Sequence, residues 1–316
     1  MIIKNIKLIQ IFILFLFLFL FFLRLEIFPA NYSIDSDLYI YSSIYNNLGK
    51  GLRFVYEPLY IIINYLFSLF IEFNIFYNLY YALFYSVIIY LILKLQNFEI
   101  STKTILITTL IVWFYPIWVP LTYVILRQSF GLFFLILSGF FLVSFSLKKN
   151  IIVFLVSTLF HYSYALFIPL LIIIKYISLE KIIYFFVLSL VFYFFEYSEY
   201  FFNIFSSYLP SFFKYTTLLD KEIQIKTGFK ITFFLFSNII FLVYIINSRF
   251  RLFIKHDFHN CYLLKLYFIS CSVVFIFLSN LPYYDRFLIL PWFIQLVLII
   301  KFLSLYKIVW KNENDL

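Results

Sequence analysis

The sequence predicts an all-α integral membrane protein, a polytopic bundle of membrane helices. Hydrophobic residues make up 65% of the 316 residues and charged residues only 12%, whereas soluble domains carry about half apolar and about a quarter charged residues. Apolar runs of roughly 17 to 25 residues recur, the length that crosses a hydrocarbon core of about 30 Å. The backbone must satisfy its own hydrogen bonds there, which favours helices, and the alternation typical of lipid-facing barrel strands is missing.

The first apolar run covers residues 8–23 and follows Lys4 and Lys7. No small-residue cleavage site comes after it, so we interpret it as an uncleaved first helix with a cytoplasmic N-terminus. The net charge of +9 lies beside apolar segments, as expected for loops on the cytoplasmic side, and predicts no nucleic-acid partner. Lys307 and Lys311 place the C-terminus in the cytoplasm as well.

A polar loop over about residues 24–57 leads to the apolar stretch 59–71, which is short for a span and has acidic residues at both ends. It is either a crossing or a re-entrant segment. Further membrane segments are predicted at residues 75–93, 104–126, 129–147, 151–174, 182–195, 231–247, 262–278 and 287–303, with a basic cytoplasmic loop at 249–255. The result is one transmembrane domain over 1–316, with about 8 to 11 membrane segments and outer loops at about 24–57, 196–230 and 280–286.

Segment 151–174 carries basic residues at both ends and His161 near its middle. A single crossing would place basic residues on both faces of the membrane, against the usual cytoplasmic excess of Lys and Arg. Two half-helices that meet near His161 resolve this conflict, because irregular backbone is allowed where it lines a protein cavity.

The common catalytic motifs are absent: there is no Gly-rich phosphate loop, HExxH, GxSxG or metal cluster. Any chemistry must come from scattered polar residues. The first of these are Asp35, Asp37 and Tyr39. Asp35 and Tyr39 share a helix face, and an Asp-x-Asp triplet can hold a divalent metal against a diphosphate. The alternative is a solvated loop or helix cap, and no metal is predicted.

Glu57-Pro58-Leu59-Tyr60 is a regular helix start that also places a carboxylate where a general base is useful. Arg127-Gln128 stands between two apolar stretches. Arginine at a helix centre costs about 2.5 to 3.5 kcal/mol on insertion scales, so it usually faces a cavity. Its planar fork suits phosphate oxygens. The alternative is an arginine that snorkels to a helix end.

His161 and Ser163 lie deep in their segment, where a histidine is either hydrogen-bonded structure or a catalytic group. Arg286 ends the outer turn at 280–286. Like Arg127, it is a basic residue beside an apolar stretch near the predicted outer face, and it could instead pair with the neighbouring Asp285.

Taken in order, these places resemble the EpsG-like family of bacterial polysaccharide polymerases, which is related to the Wzy-type O-antigen polymerases. The similar features span about 250 residues, in chain order: Asp35 with Tyr39, Glu57-Pro58 with Tyr60, Arg127-Gln128, Phe160-His161 with Ser163, and Arg286. The family often has glycine near the first aspartate, where this chain has Ser33 and Ile34.

The resemblance implies polymerisation of undecaprenyl-diphosphate-linked repeat units on the outer face of the bacterial cytoplasmic membrane, for O-antigen, capsule or exopolysaccharide. Arg127 and Arg286 would hold the diphosphate, assisted by Gln128, Tyr39, Tyr60 and Ser163. Glu57, His161 and Asp35 would be the catalytic residues, and no cofactor is needed. Expected partners are membrane lipid, a flippase and a chain-length regulator. The alternatives are a lipid-linked oligosaccharide flippase or another membrane glycosyltransferase, such as a ligase.

Overall fold

The structure is a computed structural model that describes residues 37–48, 56–96, 126–143, 146–197, 200, 228–279 and 284–314. All regular elements within these ranges are helices, and no strand occurs among them. This confirms the predicted all-α class. The apolar run 8–23 and all but the last residue of 104–126 lie outside the described residues, so those two segments stay predictions.

The chain divides into two compact units, Met1–Ala165 and Leu166–Leu316. The single domain over 1–316, with its three outer loops, stays a prediction. The described helices of the first unit are α1 (Asp37–Leu48), α2 (Pro58–Ser68), α3 (Phe73–Leu95), α4 (Leu126–Leu137) and α5 (Leu147–Thr158). A 3₁₀ helix, Tyr162–Leu166, crosses the boundary between the two units.

The described helices of the second unit are α6 (Phe167–Tyr176), α7 (Leu179–Phe194), α8 (Ile231–Ile246), α9 (Ser248–His256), α10 (Phe258–Val273) and α11 (Asp285–Asn314). A π-helical turn, Val274–Leu278, continues α10. Within this unit, buried polar side chains link three helices. Trp292 of α11 donates from Nε1 to Ser237 Oγ of α8 at 2.8 Å, and the Tyr267 hydroxyl of α10 lies 2.7 Å from Gln295 Oε1 of α11. Such bonds satisfy polar groups that lipid cannot.

Three helical segments of the described chain are long and apolar enough to cross a membrane: Phe73–Leu95, Phe258–Leu278 and Arg286–Ser304. They coincide with three predicted segments and support a multi-pass membrane protein. The pair α8 and α9, which bends by 93°, is either a fourth span that is broken or a re-entrant loop. At 11 residues α2 is only about 17 Å long, which agrees with the predicted short segment at 59–71.

The predicted break near His161 is confirmed. Helix α5 ends at Thr158, and α6 starts at Phe167. The hydroxyl of Thr158 donates back to the Phe154 carbonyl at 2.8 Å, a bond that competes with continued helix geometry. Pro169 is the third residue of α6. Proline is tolerated in a first turn, where its missing N–H has no partner anyway, but not in a helix interior.

Two predicted boundaries are wrong. The segment 129–147 is not one continuous helix, because α4 already begins at Leu126 and ends at Leu137. A turn follows through Gly139, whose φ of +78° is the left-handed conformation that commonly ends helices. The predicted basic loop at 249–255 is the helix α9. Its Phe250 and Ile254 are buried four residues apart, a helical spacing hidden between arginines and lysine.

Candidate active site

The first unit contains a buried ion pair between Glu57 and Arg127. Arg127 Nη1 donates to Glu57 Oε2 at 2.7 Å, and the two side chains are 17% and 2% exposed. The backbone N–H of Tyr162 donates to the other carboxylate oxygen at 3.3 Å. One carboxylate therefore joins the start of α2, the start of α4 and the turn after α5.

Glu57 reaches this position because it directly precedes α2, with Pro58 as the first helical residue. Its side chain makes no capping hydrogen bond to its own helix. The backbone N–H of Leu59 donates to the Leu159 carbonyl at 3.0 Å, which fixes the start of α2 against the turn that precedes His161. The predicted helix start is confirmed, and the carboxylate faces a partner 70 residues away.

Tyrosine side chains enclose the Arg127 guanidinium. Its carbon Cζ lies 4.2 Å from the centroid of the Tyr56 ring, a cation–π distance. The Tyr41 side chain hydrogen-bonds the guanidinium. The Arg127 Nε atom is buried and has no hydrogen-bond partner among the described residues. The carboxylate thus holds one side of the Arg127 guanidinium, and the Nε–H donor can still bind an anionic oxygen.

Tyr60 lies beside this site, fully buried on α2. Its ring packs edge-on against Tyr41 at 6.1 Å and Phe130 at 5.8 Å. Its hydroxyl has no hydrogen-bond partner within the described part of the chain. Tyr39 is 41% exposed on α1, and Asp35 lies outside the described residues. Whether Asp35 and Tyr39 act together stays a prediction.

His161 and Ser163 form a compact turn. His161 Nδ1 lies 2.7 Å from Ser163 Oγ and accepts the Ser163 backbone N–H at 3.2 Å. A nitrogen that accepts an N–H carries no hydrogen itself, so in the neutral ring Nε2 is the protonated nitrogen. The Ser163 hydroxyl then donates to Nδ1. His161 is half-buried and Ser163 buried. The turn thus presents the imidazole as an N–H donor through Nε2.

Helix α4 and the histidine turn are packed together by Tyr164. Its hydroxyl donates to the Gln128 carbonyl at 2.9 Å, and Gln128 itself is fully buried. A Cβ atom on Gly131 would come within 2.3 Å of the Tyr164 ring. Glycine at position 131 is therefore needed for this contact, which fixes the position of His161 relative to Arg127.

Arg286 belongs to the second unit, where it is the second residue of α11 and half-buried. Two residues earlier, the buried Tyr284 hydroxyl lies 2.6 Å from the Tyr193 hydroxyl and donates to the Gly228 carbonyl at 3.0 Å. Lys230 Nζ lies 4.9 Å from the Tyr284 ring centroid. Lys230 thus adds a cation close to the turn that carries Arg286.

Sequence reasoning missed Tyr41, Tyr56, Gly131 and Tyr164. Tyr41 was detectable because it recurs with Tyr45 and Leu48 at helical spacing, and all three are buried. Gly131 was detectable because glycine is rare in this chain, with five in total, and a glycine inside an apolar helical run often has a packing role. Among the described residues, no group of three or more His, Cys, Asp or Glu is placed to hold a metal.

Comparison of the sequence with known protein families gives a match. The model described as the EpsG family matches residues 9–312, which is nearly the whole chain and includes every candidate site residue. No curated protein and no solved structure matches the chain.

Proposed function

This chain belongs to the EpsG family, which is associated with polysaccharide biosynthesis by polymerases of the glycosyltransferase kind, and on that premise we propose that it polymerises lipid-linked glycan. The proposed donor is a glycan on undecaprenyl diphosphate, and the acceptor is a hydroxyl of the next lipid-linked repeat unit. The reaction takes place on the outer face of the cytoplasmic membrane and builds O-antigen, capsule or exopolysaccharide.

The buried Arg127–Glu57 pair is the observation that carries this proposal. In the transfer, the bond between the anomeric carbon and the diphosphate oxygen breaks, and a bond to the acceptor hydroxyl forms. Negative charge grows on the departing diphosphate. A preorganised guanidinium in a site of low dielectric stabilises that charge, which is the largest kind of catalytic effect in group transfer. Arg286 is proposed as the second cation for the diphosphate.

The contacts of Glu57 and His161 support different roles for these two proposed catalytic residues. Glu57 already accepts two hydrogen bonds, so we assign it the positioning of Arg127. His161 presents Nε2–H, a donor suited to the leaving diphosphate oxygen. The acceptor hydroxyl must still lose its proton, and we assign that proton to Asp35. Gln128, Tyr39, Tyr60 and Ser163 are proposed to line the substrate site, with Ser163 acting through His161.

The test is the length distribution of surface polysaccharide in a deletion strain complemented with variants. Wild type should restore a ladder of repeat units. Arg127→Ala should give single repeats, and the amount of protein in the membrane is measured alongside, because this variant leaves the Glu57 carboxylate buried without its counter-ion. Arg127→Lys, which keeps the charge but loses the planar fork, should lower polymerisation at least about tenfold. Arg251→Ala is the matched control, because Arg251 is an exposed arginine of α9 in the other unit.

The other outcomes separate the alternatives. An unchanged ladder in the deletion strain contradicts polymerisation of that glycan. Loss of all surface glycan, with lipid-linked units accumulating inside the cell, indicates a flippase. A single repeat that becomes capped without being lengthened indicates a ligase. Purified protein should need no nucleotide sugar and no added cofactor when it is supplied with lipid-linked repeat units.

A further inference from the structure

An apolar cavity of about 240 Å³ opens within the first unit, between α2, α3 and α4. Its walls are aromatic and aliphatic, and they include Phe76, Leu83, Phe130, Phe134 and Phe160. Tyr80 also faces the cavity, but its hydroxyl is bonded to Ser129 at 2.8 Å. The cavity therefore offers almost no hydrogen-bonding group, and its lining suits a hydrocarbon chain.

The cavity lies next to the Arg127 site, and aromatic rings contact both. Phe130 lies in its wall, and the Phe130 ring also packs against Tyr60 at 5.8 Å. Tyr60 in turn contacts Tyr41, which hydrogen-bonds the guanidinium. On the far side Phe130 stacks on Phe160, the residue before His161, at 6.2 Å. One layer of rings thus separates the charged groups from the apolar space.

Helix α4 supplies both surfaces in a fixed order. Arg127 lies in its first turn, Phe130 about 4.5 Å further along the axis and Leu137 about 15 Å along. A ligand with an anionic head and one long apolar chain matches this order, with its head at Arg127 and its chain along α4. A polyprenyl diphosphate joins the two parts directly. A glycerophospholipid places a glycerol and a second acyl chain at that junction.

We propose that this cavity binds the first isoprene units of a polyprenyl diphosphate, the lipid carrier of the donor glycan. This inference rests on the proposed function, and it adds the site where the lipid chain is recognised. The stacked Tyr80 and Phe130 rings, 3.9 Å apart, form its floor. Burial of the chain contributes binding at about 25 cal/mol per Å² of apolar area. That contribution holds the anomeric carbon at a constant depth beside Arg127 and His161.

The test uses farnesyl diphosphate that carries a benzophenone on its chain, added to the purified full-length protein in detergent. After irradiation, mass spectrometry should find the label on α2, α3 or α4 at the cavity wall. Leu83→Trp, which fills the cavity, should reduce labelling about tenfold. Leu155→Trp is the matched control, because Leu155 is an exposed leucine of α5 outside the cavity, and it should leave labelling unchanged.

Competition identifies the chain chemistry. An excess of unlabelled farnesyl diphosphate should abolish the label, whereas an equal excess of dipalmitoyl phosphatidic acid should not. Equal competition by both lipids overturns the proposal, since the cavity would then accept any bilayer chain. Label spread over other faces of the protein, or unaffected by Leu83→Trp, also overturns it. Labelling does not depend on polymerisation, so the glycan ladder tests the proposed function separately.

Discussion

At the residue scale, the main feature is a charge pair removed from water. An arginine inside a membrane helix is unfavourable by about 2.5 to 3.5 kcal/mol on insertion scales, and a buried carboxylate is costly as well. Glu57 and Arg127 offset each other, and the Tyr56 ring shields the guanidinium face. Such pairs are rarely retained for stability alone, because apolar residues of similar volume often serve as well. Retention of this pair is consistent with a use for the charge.

Breaking the pair on one side should be strongly destabilising. We expect Glu57→Gln to lower the free energy of unfolding by about 3 to 5 kcal/mol, because it leaves the Arg127 charge buried without a counter-ion. The measurement is the apparent melting temperature in detergent, followed by size-exclusion fluorescence. Glu180→Gln is the control, since Glu180 lies in the first turn of α7 in the other unit. Equal melting temperatures for both variants would contradict the ion pair.

Removing both charges should separate stability from activity. The double variant Glu57→Leu with Arg127→Met replaces the ion pair by apolar side chains, a change that is often neutral or stabilising. We expect it to melt near the wild-type temperature and to produce no glycan ladder. If this variant polymerises glycan, the proposed role of Arg127 in binding diphosphate is wrong.

At the element scale, the contact between α4 and the histidine turn requires a residue without a side chain at position 131. We expect Gly131→Ala to destabilise the protein by about 1 to 3 kcal/mol, because the new methyl group overlaps the Tyr164 ring. Polymerisation should fall too, since the turn that holds His161 must move away from α4. Thermal melting and the glycan ladder measure the two effects. Leu155→Ala, at an exposed site of α5 outside the cavity, should change neither.

A compensating change tests the mechanism of that effect. Adding Tyr164→Leu to Gly131→Ala removes the ring that the methyl group meets. The double variant should therefore lose less stability than the sum of the losses in the two single variants, because the effects of mutating residues in contact are not additive. Additive losses of stability would show that Gly131 matters for a reason other than the Tyr164 ring.

The sequence predicted some elements better than others, for physical reasons. The break at His161 was predictable because basic residues flank both ends of its segment and Pro169 restricts where a helix can start. The short α4 was not, since residues 129–147 are apolar apart from two glycines and four serines, and only the backbone shows that Gly139 adopts a positive φ. Helix α9 was hidden because its buried face consists of only Phe250 and Ile254.

The sequence predicted the ionisable residues of the candidate site but not the tyrosines that surround them. Glu57, Arg127 and His161 stood out because ionisable residues are rare in apolar segments. Their common location required tertiary contacts between α2, α4 and the turn after α5, which no local pattern encodes. Tyr41 and Tyr56 were not singled out as site residues, because the chain has 29 tyrosines. Where a residue type is abundant, its presence in the sequence carries little information.

At the scale of the whole molecule, topology is open to a direct test. Positive charge predicts that α9 lies on the cytoplasmic side, and the loop 196–230 is predicted to lie outside. In a variant without Cys261 and Cys271, Arg251→Cys should react with an impermeant maleimide only after the membrane is opened. Tyr197→Cys, which is 50% exposed, should react in intact cells. Labelling of both positions from the same side would contradict the predicted orientation.

The distance in sequence between Glu57 and Arg127 has a consequence for biogenesis. The two partners are 70 residues apart, and a ribosome adds roughly 5 to 20 residues per second. Glu57 is therefore synthesised roughly 4 to 14 seconds before its counter-ion. During that interval the nascent chain carries an unpaired carboxylate that only water or an insertion factor can accommodate. Chains stalled between α3 and α4 should accordingly be the preferred substrates of membrane proteases, and pulse-chase of truncated chains would measure their lifetimes.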